Sequence, residues 1–250
     1  MKLIVFDIDG TLANGTEVPE STQKAIRMTR KKGNLIWICT GRSISYAKRH
    51  FHKYANGYIV SNGRQGFTCC AKVFDKPFTS EEITEIRKRL DSVNAACVFA
   101  GSEGAKFFGN EEGFETLKSI YPDVQKGKQC NIEYNLDVWW KDEEHLEAIK
   151  EVLKDMAIVN PHGPHHTIDI TILGYDKGEA LKRIAEYLNI DMKDVYAFGD
   201  GANDVCMLKA AGTGIAMGNA LDELKEIADH VTDPINEDGV YNAMQHFGLI

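Results

Sequence analysis

The sequence predicts an α/β protein with a Rossmann-like parallel-sheet core and an inserted α+β cap domain. Three observations lead there. Short apolar, β-branched runs stop abruptly at polar residues, as Lys2-Leu-Ile-Val-Phe6 does at Asp7; such runs read as strands buried on both faces of a parallel sheet. Helical patterns alternate with these runs, which is the signature of βαβ units. The alternation breaks off after Gly63 and resumes at Lys177, with stretches of period two in between. Those stretches suit half-buried antiparallel strands.

Element by element, residues 20–32 place Thr22, Ala25, Ile26 and Thr29 at helical spacing, with Glu20 or Ser21 near the start. Lys31, Lys32 and Gly33 close the helix with favourable charge and a C-terminal glycine. Leu35–Cys39 reads as a second strand, residues 43–54 as a second helix, and Tyr58–Val60 as a third strand ending at Ser61-Asn62-Gly63. Within the intervening block, residues 80–93 and 142–156 read as helices, and 132–138 and 167–172 as strands. The first rhythm then returns: a helix over 177–188, a strand over 195–198, a helix over 204–211, and strands near 214–217 and 230–232. The expected domains are therefore 1–75 with 173–250 as core, and 76–172 as cap.

Composition narrows the function. In 250 residues, 29 Lys and Arg face 37 Asp and Glu, a formal net charge of −8, which argues against broad binding to nucleic acid or anionic lipid. Hydrophobic residues at 43% and charged residues at 26% are those of a globular protein. No apolar run approaches the roughly 18–20 residues of a membrane helix, and Asp7 and Asp9 interrupt any secretory signal core, so the expectation is a cytoplasmic protein. The six cysteines (39, 69, 70, 97, 130 and 206) form no CxxC pair and are expected to be reduced, mostly as small core residues.

The placement of the polar residues carries the chemistry. Asp7 and Asp9, Thr40, Asn62, and Asp200 with Asn203 and Asp204 each follow the carboxyl end of an expected parallel strand. Right-handed crossovers bring those ends to one edge of the sheet, where open α/β sheets bind ligands. Carboxylates gathered there repel one another unless something positive neutralises them. The all-oxygen set Asp7, Asp9, Asp200 and Asp204 suits a hard cation, Mg²⁺ above all. In Asp7-Ile-Asp9-Gly-Thr the two carboxylates project to one side of an extended chain. One can attack phosphorus to form an aspartyl-phosphate, while the other passes a proton to the departing oxygen. For that task Asp9 must hold a proton near neutral pH, which adjacent negative charge would favour. Gly10 would let backbone N–H groups approach a phosphate. Thr40 beside Gly41, and Lys177 at a helix start, would hold phosphoryl oxygens.

The motifs FDIDGT, TGR, DKG and GDGAND, in that order, resemble the four signature motifs of the haloacid dehalogenase-like (HAD) hydrolases. The large insert, preceded by SNG, resembles the Cof-type subgroup, whose α/β cap lies between the second and third motifs. The resemblance covers the core; in the cap, position matches but sequence does not. It implies Asp7 as nucleophile and Asp9 as general acid/base, the latter also binding metal through its backbone carbonyl. It further implies Thr40 and Lys177 on the phosphoryl group, Asp200 on Mg²⁺, Asp204 on a metal-bound water, and Asn203 positioning the phosphoryl group or Lys177. An acid at position 9 disfavours the dehalogenase branch. The expected activity is Mg²⁺-dependent hydrolysis of a small phosphorylated metabolite, such as a sugar phosphate. A phosphomutase on the same scaffold and a phospho-accepting regulatory module are the alternatives.

Other features stay open. Arg42 and Asn62-Gly63-Arg64 suit either substrate contacts or helix capping and a turn. Trp139-Trp140 suits core packing, with one ring facing a substrate as the alternative. His162, His165, His166 and Asp169 have tempting spacing for a metal, but Pro161, Gly163 and Pro164 exclude the helix that would align them. A cap-hinge loop, with His165 or His166 meeting the substrate, is the expected reading. The glycine-rich 212–218 segment is expected to be a strand near the site rim rather than a dinucleotide loop.

Overall fold

The computed structural model describes residues 1–101, 104–127, 132–162 and 166–250, with backbone alone at 161–162. The chain forms two compact units: residues 1–75 with 175–250, and residues 76–174.

The first unit begins with β1 (Leu3–Phe6), α1 (Glu20–Lys31), β2 (Leu35–Cys39), α2 (Ile44–Phe51) and β3 (Gly57–Val60). Every residue of β1 and β3 is buried, as expected of strands covered on both faces. Thr22, Ala25, Ile26 and Thr29 line the buried stripe of α1. The helix starts after Pro19, whose missing N–H costs nothing at a helix entry. Ser43 caps α2 by accepting from the Tyr46 N–H. A hairpin follows, β4 (Gln65–Thr68) and β5 (Lys72–Asp75). The sequence reading missed it because Gly66 and the short strands leave no run of alternation.

The second unit holds α3 (Ser80–Ser92), β6 (Ala96–Gly101), β7 (Gly104–Phe108), α4 (Glu111–Ile120), β8 (Gln125–Lys126), β9 (Glu133–Trp139), α5 (Glu143–Leu153), β10 (Ala157–His162) and β11 (Thr167–Ile172). Its sheet runs β10-β11-β9-β6-β7-β8 and is antiparallel except where β7 meets β8. Thr79 and Glu82 form a reciprocal capping box on α3. Alternate residues of β6 serve two cores. Ala96 and Val98 join Phe107, Leu117 and Trp139, whereas Phe99 packs edge-on against Phe78 and Phe108 at 5.4 and 6.0 Å between ring centroids.

The histidine-rich segment proves to be the β10–β11 connection, not a hinge between units, because the chain leaves and re-enters the first unit at 75/76 and 174/175. Pro161 is tolerated there because β10 is an edge strand. His165 and the side chain of His162 lie outside the described residues. The His166 ring stacks on Trp140 at 4.3 Å, and Trp139 is buried.

Back in the first unit come α6 (Lys177–Tyr187), β12 (Val195–Gly199), α7 (Val205–Ala210), β13 (Thr213–Ala216), α8 (Asp222–Ile227), β14 (His230–Val231) and α9 (Gly239–His246). The eight-stranded sheet is ordered β14-β13-β12-β1-β2-β3-β4-β5, parallel from β14 to β3. From β1 the chain moves outward one way through β2 and β3, and from β12 the other way through β13 and β14. The strand order therefore reverses between β1 and β12, and their carboxyl ends flank the crevice. Within the 212–218 segment, Thr213–Ala216 form β13, so a strand and not a dinucleotide loop occupies it.

The cysteine expectation needs correction. Cys39 and Cys97 are buried, but Cys69 and Cys70 are exposed at the β4–β5 turn and Cys206 is half-buried; Cys130 lies outside the described residues.

Phe99→Ala should cost the second unit about 3–5 kcal/mol, the usual loss for a buried phenylalanine truncated to a cavity. Equilibrium denaturation followed by near-ultraviolet circular dichroism checks it.

Candidate active site

The site starts from the ladder that ends β1 and β12. The Asp7 N–H donates to the Phe198 carbonyl at 3.0 Å, so the last rung between the strands fixes the backbone from which Asp7 projects. Lys177, on the first turn of α6, is 1% exposed and donates through Nζ to Asp7 Oδ1 and Asp204 Oδ1, both at 2.7 Å. Asp176 caps that helix by accepting from the Gly178 and Glu179 N–H groups at 2.8 and 3.0 Å. Lys177 is thus a buried ion-pair centre.

Asp204 uses its other oxygen, Oδ2, to accept from the Asp200 and Gly201 N–H groups, each at 3.0 Å. The loop after β12 is folded around this carboxylate. Asp200 Oδ1 accepts the Thr11 hydroxyl at 2.6 Å. Gly10 lies against the same carboxylate: a Cβ there would stand 2.3 Å from Asp200 Oδ2, and its φ of +87° is one that favours glycine. One oxygen from each of Asp7, Asp200 and Asp204 falls within 4.8 Å of the others.

Electrostatics follow from burial. Burial and the Asp204 and Asp200 charges push the Asp7 carboxyl well above the usual range, against the pull of Lys177. Burial raises Asp200 to about 6, with Asp204 adding to it and the Thr11 hydroxyl opposing. Burial would lower Lys177, yet Asp204 and Asp7 hold its ammonium above the usual lysine range. Three acids against one ammonium leave a formal excess of two acids, with Asp7 and Asp204 buried and Asp200 half-buried, and ionising all three there is costly. An all-oxygen set with that excess fits a hard divalent cation.

Asp9 departs from the sequence expectation. Its side chain does not join the three clustered acids; its carboxylate accepts from Arg42 Nε at 3.0 Å and Nη2 at 3.3 Å. A positive neighbour, and not only the adjacent acids, therefore meets Asp9. Arg42 is thereby placed on Asp9, and its guanidinium also lies 5.1 Å from the Tyr46 ring centre.

Thr40 is 1% exposed, its N–H continuing the ladder to the Ile59 carbonyl and its hydroxyl accepting from the Arg42 N–H at 3.1 Å. Asn62, at φ 51°, donates its N–H to the Thr40 carbonyl, and its Oδ1 accepts from Asn203 Nδ2 at 3.1 Å. Gly41 packs against the Asn62 amide. The ends of β2, β3 and β12 are thus joined through three polar residues. Gly63 and Arg64 lie in the turn after β3. Gly63, at φ +99°, presses on the Asp176 backbone, where a Cβ would meet the carbonyl oxygen at 2.4 Å. Arg64 is buried with its guanidinium 4.7 Å from the Tyr175 ring centre.

Three residues escaped the sequence reading. Thr11 had its signal inside DGT, and Asp176 in the capping position before Lys177. Asn219 follows β13 and braces the site, donating to the Gly10 carbonyl at 2.9 Å while accepting from the Ile235 N–H at 2.9 Å. It too lies just past a strand end, the rule that found the others.

A sheet whose order reverses beside buried acids and one ammonium defines a class, that of α/β enzymes handling a charged group at a switch point. The model of the haloacid dehalogenase-like hydrolases matches residues 4–244, and the chain belongs to that family. The "Putative phosphatase YkrA" of Bacillus subtilis (strain 168) is 34% identical, over 100% of this chain and 98% of that protein. The "5-amino-6-(5-phospho-D-ribitylamino)uracil phosphatase YcsE" of the same strain is 30% identical, over 100% and 96%. Among solved structures, the HAD subclass IIB sugar phosphatase BT4131 superposes with a TM-score of 0.83 at 28% identity, covering 100% of both chains. The chain is accordingly a hydrolase, a HAD-family phosphatase acting on phosphorylated substrates.

Replacing Lys177 with Met strands Asp7 and Asp204 without their counter-charge. In metal-free protein it should lower stability by about 3–5 kcal/mol, the usual loss when one member of a buried ion pair is removed, as read by urea denaturation. Gly10→Ala should keep the fold and weaken the stabilisation that divalent ions confer, measured as the rise in Tm on adding Mg²⁺.

Proposed function

We propose that this protein is a Mg²⁺-dependent phosphatase that hydrolyses a small phosphorylated metabolite, such as a sugar phosphate, through an aspartyl-phosphate on Asp7. The observation that carries the reading is the formal excess of two acids over one ammonium among Asp7, Asp200, Asp204 and Lys177 at the sheet's switch point. Mg²⁺ would be held by Asp7 and Asp200, with Asp204 in support and the Asp9 backbone carbonyl as a further ligand. When bound, it supplies charge neutralisation and polarises a phosphoryl oxygen.

Each residue then has one task. Lys177 orients Asp7 and, together with the bound cation, would favour its ionised form, and the carboxylate attacks phosphorus as the ester oxygen departs. Asp9 protonates that oxygen, then takes a proton from the water that hydrolyses the acyl phosphate. Arg42 keeps the Asp9 side chain in place until a substrate enters. The Thr40 hydroxyl, whose lone pair already serves the Arg42 N–H, keeps its proton for a phosphoryl oxygen. Gly10, Gly41 and Asn203 line the same loops and complete the phosphate cradle, and Asn62 holds Asn203. The inserted second unit selects the leaving group. The phosphoribityl and sugar phosphatases among the relatives support a polyhydroxylated one.

Asp7→Asn should reduce phosphate release by more than about a thousandfold, as loss of a nucleophile does elsewhere, with an unchanged circular dichroism spectrum. The assay is a phosphate-release screen over sugar phosphates, nucleotides and phosphorylated cofactors, with and without Mg²⁺. Turnover surviving in that variant removes Asp7 from its role, and an isomerised sugar phosphate without free phosphate indicates a mutase.

The Asp200 shift gives a pH test. An acid whose folded value is raised from 3.8 to about 6 binds protons more tightly in the native state. Its contribution to metal-free stability is therefore lost as pH climbs through that window. Mg²⁺ should raise Tm strongly above pH 6 and progressively less towards pH 4, and Asp200→Asn should flatten that dependence.

A further inference from the structure

The described cysteines outside the sheet interior include a pair with a geometry of its own. Cys69 and Cys70 are the first two of the three residues between β4 and β5, both exposed, with their Sγ atoms 3.2 Å apart. Side chains of consecutive strand residues point to opposite faces, so only the turn brings these two sulfurs together. The tip is fixed. The Thr68 hydroxyl oxygen accepts from both the Cys70 and Ala71 N–H groups, at 3.2 and 2.9 Å. The Cys69 N–H donates to the Asn56 carbonyl at 3.2 Å. One thiol donates to the other, and this bond raises the Cys70 thiol above its ordinary range, against the opposing charge of Lys48.

Two chemistries compete for such a pair. A disulfide normally spans Cα atoms about 4.4–6.8 Å apart, whereas consecutive Cα atoms are held at about 3.8 Å, so a direct bond fits poorly. A bridging soft atom fits well. Thiolate bonds to such centres are about 2.3 Å long, and two of them meeting near a right angle span about 3.3 Å, close to the separation present. Zinc needs four ligands. Among the described residues the group of three or more His, Cys, Asp or Glu close enough to share an ion is Asp7, Asp200 and Asp204, not this turn. A soft centre satisfied by two thiolates fits the pair.

We propose that Cys69 and Cys70 form a two-point thiolate site for trivalent arsenicals of the form R–As(III). In the binding step the As–O bonds of the oxide and both S–H bonds break, two As–S bonds form, and the two protons leave with the oxygen as water. No electron is transferred, so no oxidant or reductant takes part.

The probe is phenylarsine oxide added to the native full-length protein and followed by intact mass. The expected result is one adduct per chain that resists excess 2-mercaptoethanol and is released by 2,3-dimercaptopropanol. Cys69→Ser and Cys70→Ser should each weaken retention at least tenfold, whereas Cys206→Ser should leave it unchanged. No adduct on folded protein, release by the monothiol, or undiminished retention in either tip variant would overturn the proposal. So would a protein, purified without reductant, that is lighter by two hydrogens and binds only after reduction.

Discussion

One ammonium group organises the catalytic unit. Lys177 reaches from the first turn of α6 to Asp7 at the end of β1 and to Asp204 beyond β12, joining segments 170 and 27 residues away in sequence. A buried lysine with no partner would shed its proton, and a buried aspartate with none would take one up. Here each charged group is tolerated only because the others are present. The lysine satisfies one oxygen of each acid, Asp204 turns its second oxygen to the backbone after β12, and Thr11 steadies Asp200. What remains is a formal excess of acids at the sheet's edge.

Topology explains why the acids meet. β1 and β12 are neighbours although 188 residues separate Phe6 from Val195, and the order of strands reverses between them. The loops after these strands diverge to opposite sides and leave the last backbone groups reachable from outside. Thr40 and Asn62 extend the same edge across β2 and β3, and Asn203 joins them from the turn after β12. Consecutive left-handed residues Ser61 and Asn62, at φ 53° and 51°, mark where the backbone bends to achieve this; strained backbone of this kind gathers at functional sites.

Much of this was legible in the amino-acid order, for a physical reason. Parallel strands are apolar on both faces, so their ends are sharp: LIVF stops at Asp7 and LIWIC at Thr40, and those stops are where the candidate site gathers. Partnerships were harder to read. That Asp9 would turn to Arg42, or that Asn219 would brace Gly10, depends on side-chain directions that no periodicity records. Lys177 was legible as a phosphate-binding residue at a helix start, but not as the buried partner of Asp7 and Asp204, because those acids lie far away in the chain. In the second unit, glycines at 101, 104, 109 and 113 cut β6, β7 and α4 into pieces too short for a pattern. The β4–β5 hairpin has two four-residue strands, and the vicinal thiols at its tip looked like core cysteines until the turn placed them outside.

Where the two connections to the second unit leave the first has a consequence for how such a protein can diversify. Arg183 lies over both Phe74, beside the outgoing connection, and Tyr175, where the chain returns. Both connections are therefore anchored at one guanidinium. An insertion whose ends share an anchor places no demand on the length or architecture of what lies between them. Descendants of such a chain are free to enlarge, trim or replace the intervening hundred or so residues while the acids and their lysine stay where they are.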